Sequence, residues 1–159
     1  MIVPQRNPLI LAKELATLDQ LSGGRVELGL GVGWMKEEFD ALGVPWERRG
    51  ARNDEYIEAM RALWASDDAS YSGDFVSFEN VSSNPKPAGG SVPFTVGGHS
   101  AAAAKRAGRL GDGFFPGKGS IAELTEMIDI VRQTAVEHDR DADAIEVTAA
   151  HPGLFGDDP

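Results

Sequence analysis

Val92-Pro93-Phe94-Thr95-Val96-Gly97-Gly98-His99-Ser100-Ala101 decides the fold. A short apolar run of strand length ends in paired glycines, and a serine then opens an alanine-rich segment that runs to Leu110. This reads as strand, tight turn, helix. Gly111-Asp112-Gly113-Phe114-Phe115-Pro116 repeats the theme as a second strand, followed by Gly117-Lys118-Gly119 and a helix. Ser120 caps that helix, and Glu123 three residues on completes a capping box. Its expected inward face is Ile121, Leu124, Ile128, Val131 and Ala135. Upstream, Arg25 to Gly31 reads as a buried strand running into Gly29, Gly31 and Gly33. Ile145 to Thr148 reads as a last strand. Such alternation predicts a parallel α/β sheet with right-handed crossovers, doubly wound or barrel-like. Closing an eight-stranded α/β barrel takes at least ~200 residues, more than the 159 present.

The rest of the chain fits around these units. Asn7 and Pro8 are start signals for a helix ending at Ser22-Gly23-Gly24, with Leu11, Leu15 and Leu18 on one face. Trp34 to Leu42 reads as a short helix stopped by Gly43. A longer helix follows, with Ile57, Met60, Leu63 and Trp64 inward and its arginines and acids on the other faces. Tyr71-Ser72-Gly73-Asp74-Phe75 is a hairpin turn between two short strands outside the main sheet. The opening residues read as the end of one more strand, and the last ones as a polar Gly/Pro/Asp tail.

Composition removes several classes of function. The net charge is -10, which argues against phosphate-backbone binding to nucleic acid and against adsorption to an anionic membrane. Without cysteine there is no disulfide, thiolate nucleophile or Cys-ligated metal centre. Three scattered histidines do not make a metal site, so no metal is expected. No apolar run approaches the ~20 residues of a membrane helix, and the first residues lack the order of a signal peptide. The expected location is cytoplasmic. Glycine is abundant, 19 of 159 residues, against a usual ~7%.

In parallel α/β folds, ligands bind at the C-terminal ends of strands. Gly97-Gly98-His99-Ser100 there offers backbone N–H groups and a hydroxyl at a helix start, suited to a phosphate or to a plain tight turn. Gly117-Lys118-Gly119-Ser120 is a second such turn with a cation added, or a solvated loop lysine. Gly29-x-Gly31-x-Gly33 lacks the spacing of a dinucleotide fingerprint, which disfavours a Rossmann site. Trp34 is a stacking face for a flat ring or a core residue over the turn. Glu37, Glu38 and Asp40 read as solvated rather than as general acids or bases, and His138 and His151 as surface residues.

Arg6-Asn7-Pro8, Ala12-Lys13-Glu14-Leu15-Ala16-Thr17-Leu18-Asp19-Gln20-Leu21-Ser22-Gly23-Gly24-Arg25, Leu28 to Trp34 and Glu37-Glu38-Phe39 occur in that order. Arg61 to Trp64, Pro93 to Ser100 and Ala107 to Phe114 follow. With these motifs the chain resembles the luciferase-like monooxygenase superfamily, particularly its branch using the deazaflavin coenzyme F420. The resemblance implies a partial (β/α)8 barrel over residues 1–150, with a hairpin insertion and a polar tail at 151–159. It implies F420, or alternatively FMN, at the C-terminal mouth, and a small-molecule substrate oxidised or reduced there. Gly31, Val32, Gly33 and Trp34 would face the ring. Gly97, Gly98, His99 and Ser100 would hold its phosphate side, and Lys118 an anionic tail or substrate. Family members carry further strand–helix units on either side of this stretch, including a strand-end histidine or acid near the ring. An open barrel implies a homodimer or other self-association. The alternative is a non-catalytic cofactor-binding or interaction module.

Overall fold

The structure, a computed structural model, describes residues 1–149. The tail expected at 151–159 and His151 lie outside the described residues. The chain forms two compact units, one up to Val92 and one from Pro93 onward.

In the first unit, α1 (Pro8–Ser22) starts where Asn7 Oδ1 accepts the N–H groups of Leu9 and Ile10. It ends at Gly23, whose φ of 71° lets the chain turn off the helix. Leu11, Ala12, Leu15 and Ala16 are buried as the periodicity requires, but Leu18 is 54% exposed. The buried arc centres between Leu15 and Asp19, and Leu18 lies about 90° away at 100° per residue. Asp19 is itself buried, because its carboxylate accepts the N–H groups of Val26 and Ala88. That tie, with Arg25 bonded back to Ser22, keeps the chain turning, so β1 is only Leu28–Leu30 rather than the whole of Arg25 to Gly31. The opening residues do run alongside β1, with Ile2 bridged in parallel to Gly31.

The short helix α2 (Lys36–Leu42) begins two residues later than expected and ends at Gly43 with φ 67°. The next helix, α3 (Arg49–Ala65), buries Ile57, Met60, Leu63 and Trp64, whose indole N–H donates to Ala12 O. The expectation that all its arginines face outward fails at Arg52. That residue is 6% exposed, donates to Pro45 O and lies over the Phe75 ring. The predicted hairpin is present as β2 (Ala69–Ser72) and β3 (Ser77–Val81), antiparallel. Its turn wraps the Glu55 carboxylate, which accepts the N–H groups of Asp74, Phe75 and Val76.

The second unit is strand–helix–strand–helix–strand. Parallel strands β4 (Phe94–Gly97), β5 (Gly113–Phe115) and β6 (Glu146–Val147) lie in that order. The crossovers are α4 (Ala101–Leu110) and α5 (Ile121–Glu137). Phe94, Val96, Phe114, Ala104, Ala107, Val131 and Ala135 form its core. Gly108 lets the helices meet, since a Cβ there would stand 2.5 Å from Val131 O. Arg140 closes the far end of α4 by donating to the carbonyls of Ala107, Gly108 and Gly111. Leu124, Val131 and Ala135 face inward as expected, but Ile121 is 68% exposed and Ile128 only half-buried. Ile121 is the first residue of its helix, where the chain has not yet reached the core.

Candidate functional site

The turn after β4 is shaped by Gly98. Its φ is 145°, and an added Cβ would stand 2.7 Å from the Ala103 side chain. Its N–H donates to Phe115 O, which fastens the turn to the end of β5. His99 and Ser100 follow on the surface. Ser100 Oγ accepts the Ala103 N–H at 3.3 Å and its carbonyl accepts that of Ala104. The hydroxyl still has its own hydrogen to donate. Ala101 and Ala102, first in the helix, have no intrahelical acceptor for their N–H groups. The positive end of α4 therefore presents donors outward.

The turn after β5 has the same residue types and a different outcome. Gly117 and Gly119 have φ of 79° and 144°, and Ser120 caps α5 as read from the sequence. Glu123 folds back on the cap, its Oε2 accepting from both Ser120 N–H and Ser120 Oγ at 2.7 and 2.8 Å. These bonds, that from the backbone first, hold its carboxyl below the usual carboxylate range. The positive end of α5 already holds an anion of its own. Lys118 extends into solvent beside it and shares a cavity of about 410 Å³ with His99, Gly119, Glu123, Glu126 and Met127. The structure thus brings His99, expected at the phosphate, and Lys118, expected at an anionic tail or substrate, to one cavity. Glu126 was not singled out from the sequence, where it is one acid among several on a helix.

The remaining candidates lie in the first unit. Gly31 and Val32 are half-buried, and a Cβ on Gly31 would meet nothing within 4 Å. Gly33 is different, with φ 79° and a Cβ that would stand 2.7 Å from Phe39 and 3.1 Å from Ile2. Packing alone accounts for that glycine. Its carbonyl accepts from Arg49 Nε at 3.1 Å. The Arg49 guanidinium lies 3.6 Å over the Trp46 ring, which meets Phe39 edge to face. No sequence signal beyond an arginine near a tryptophan marks this clamp. Trp34 is 81% exposed, which rules out the core reading and leaves an aromatic face in solvent. Glu37, Glu38 and Asp40 are exposed, with Asp40 paired to Lys36 at 2.7 Å. Among the described residues no cluster of histidines and acids has the makings of a metal site.

The family model described as luciferase-like monooxygenase matches residues 1–159. The chain belongs to the luciferase-like monooxygenase family. An FMNH(2)-dependent dimethylsulfone monooxygenase of Pseudomonas fluorescens is 37% identical over 131 residues, covering 80% of this chain and 36% of that protein. Among solved structures, an F420-dependent secondary alcohol dehydrogenase is 29% identical with a TM-score of 0.81, covering 90% of this chain and 44% of that one. The coenzyme F420-dependent tetrahydromethanopterin reductase of Methanopyrus kandleri is 27% identical with a TM-score of 0.78, covering 91% and 46%. The fold is the parallel strand–helix alternation of this barrel family, and the chain spans less than half the length of these relatives. Relatives using FMN and relatives using F420 both occur, so a flavin-type cofactor is common to them. Among the described residues no helix is long and apolar enough to cross a membrane.

Proposed function

We propose that this chain carries the cofactor-holding part of a flavin- or F420-dependent oxidoreductase acting on a small molecule. One observation carries the reading: Gly98, His99 and Ser100 follow a parallel strand at a helix start whose first N–H groups have no intrahelical acceptor and whose serine hydroxyl keeps a hydrogen to donate. FMN and F420 both join a flat ring through a polyol chain to a phosphate, and that phosphate matches these donors in charge and direction. The residues present fit the group. Gly97, Gly98, His99 and Ser100 take its phosphate, and Lys118 adds a counter-charge nearby. In the first unit, taken by itself, the open space over Gly31 and the exposed Trp34 face suit a flat ring, the role that the resemblance implies for Gly31, Val32, Gly33 and Trp34. When bound, the ring supplies hydride transfer or, as reduced FMN, activation of oxygen. The protein positions the ring and anchors its charge.

Two further proposals keep their support in the chain itself. Self-association, most simply as a homodimer, is favoured by Ile10, Leu18 and Leu21, which are exposed on α1. A cytoplasmic setting is favoured by the absence of cysteine. Mass in solution tests the first.

Fluorescence titration with FMN, F420 and riboflavin tests the cofactor reading. FMN should bind more tightly than riboflavin, which has the ring without the phosphate. Ser100→Ala should weaken FMN about tenfold, the loss of one hydrogen bond to a charged group, and leave riboflavin nearly unchanged. Equal binding of FMN and riboflavin, insensitive to Ser100→Ala, would overturn the reading.

A further inference from the structure

The cavity beside His99 does not continue the charge of the turn it adjoins. Two acidic residues, Glu123 and Glu126, line it with the single lysine, Lys118, and His99, Gly119 and Met127 complete the lining. Glu126 stands three residues after Glu123, and this spacing puts both on one face of α5. Glu123 stays ionised at neutral pH because its bonds to Ser120 favour the charged form. The net charge of the whole chain, -10, adds to the same sign.

FMN and F420 differ on this side of the molecule. In FMN the phosphate is a terminal monoester. In F420 it is a diester leading on to a lactyl group and a chain of γ-linked glutamates, each bringing another carboxylate. His99 belongs both to the turn before α4 and to the lining of this cavity, so a tail leaving a phosphate at that turn on the His99 side would meet Glu126 there. Building on the cofactor reading above, we infer that Glu126 is a specificity-determining residue, setting the site against a polycarboxylate tail and in favour of a ligand that ends at its phosphate. FMN then takes precedence over F420, reversing the order that the sequence resemblance suggests. Like charges facing across a partly exposed cavity act over roughly the Debye length, about 10 Å at 0.1 M salt. The discrimination is therefore strongest at low ionic strength, and it requires no contact between the tail and the wall.

The test is a fluorescence titration of the full chain with FMN, with F420 stripped of its glutamates, and with F420 carrying several. The affinity for F420 should fall roughly two- to tenfold as glutamates are added at low salt, and the fall should fade in high salt. In Glu126→Lys the dependence on tail length should flatten or reverse, with Glu126→Gln between the two. The readout is that slope, which a merely structural disturbance of α5 does not change in sign. Affinity independent of tail length, or rising with it, or a slope unaltered by Glu126→Lys, would overturn the inference while leaving the cofactor reading intact. Failure of every ring-bearing ligand to bind would overturn the cofactor reading, and this inference with it.

Discussion

The starts of α4 and α5 are built from the same parts and are left in opposite electrical states. Each follows a parallel strand and a glycine-containing turn, and each has a serine cap. At α5 the third helical residue is Glu123, which returns to the cap and accepts from Ser120 N–H and Ser120 Oγ. At α4 the third residue is Ala103, whose side chain is packed under Gly98, and the first turn of the helix has no acidic residue. A capping-box carboxylate takes the hydrogen of the cap hydroxyl and sets a negative charge beside the helix start, so one residue changes the charge at the end of otherwise similar turns.

The comparison breaks most visibly at the glycines. Gly98 and Gly119 share a φ near 145°. A Cβ on Gly98 would stand 2.7 Å from Ala103, whereas on Gly119 the nearest atom would be 3.4 Å away. Gly98→Ala should therefore cost about 3 kcal/mol and Gly119→Ala about 1 kcal/mol in urea unfolding, the first adding a clash to the backbone strain common to both. Equal losses would mean that the Ala103 contact relaxes. Gly98→Asp would mix this strain with the repulsion of a phosphate, so Ser100→Ala is the cleaner probe of binding.

A smaller effect sharpens the contrast between the caps. Ser120→Ala should cost about 1–2 kcal/mol and Ser100→Ala about 0.5–1 kcal/mol, since only the first breaks a reciprocal pair. Thermal unfolding of the two variants side by side decides it. The smallest effect is one of pH. The Glu123 carboxyl is lowered in the folded state, so its contribution is complete above the ordinary glutamate value and is lost as pH falls through the lower, folded one. The stability gap between wild type and Glu123→Gln should thus be flat near neutrality and close in acid. A gap that widened in acid would have the wrong sign for this cap.

Much of this was legible in advance because it is local. Asn7 before Pro8, Gly23, Gly43, Ser100 and the Ser120–Glu123 pair act within a few residues of their own positions, and all five occupy the helix ends expected of them. The hairpin at Gly73 was equally plain, though its fastening by Glu55 was not, since that carboxylate comes from a helix about twenty residues earlier. Leu18, Ile121 and Arg52 went against expectation because periodicity marks a face without saying where its edge falls or what covers it. Among the site residues, the glycine turns were visible as turns. The exposure of Trp34, the packing that claims Gly33 and the cavity joining His99 to Glu126 were not.

By itself the sequence determined the order of strands and helices, their caps, the family and the two glycine turns at strand ends, because each depends on residues close together along the chain or on motifs in a set order. Only the tertiary structure decided that Trp34 stands in solvent, that packing claims Gly33, and that Glu123 and Glu126 share a cavity with His99 and Lys118. Which faces are covered, and which charges share a cavity, depends on distances that sequence spacing does not contain.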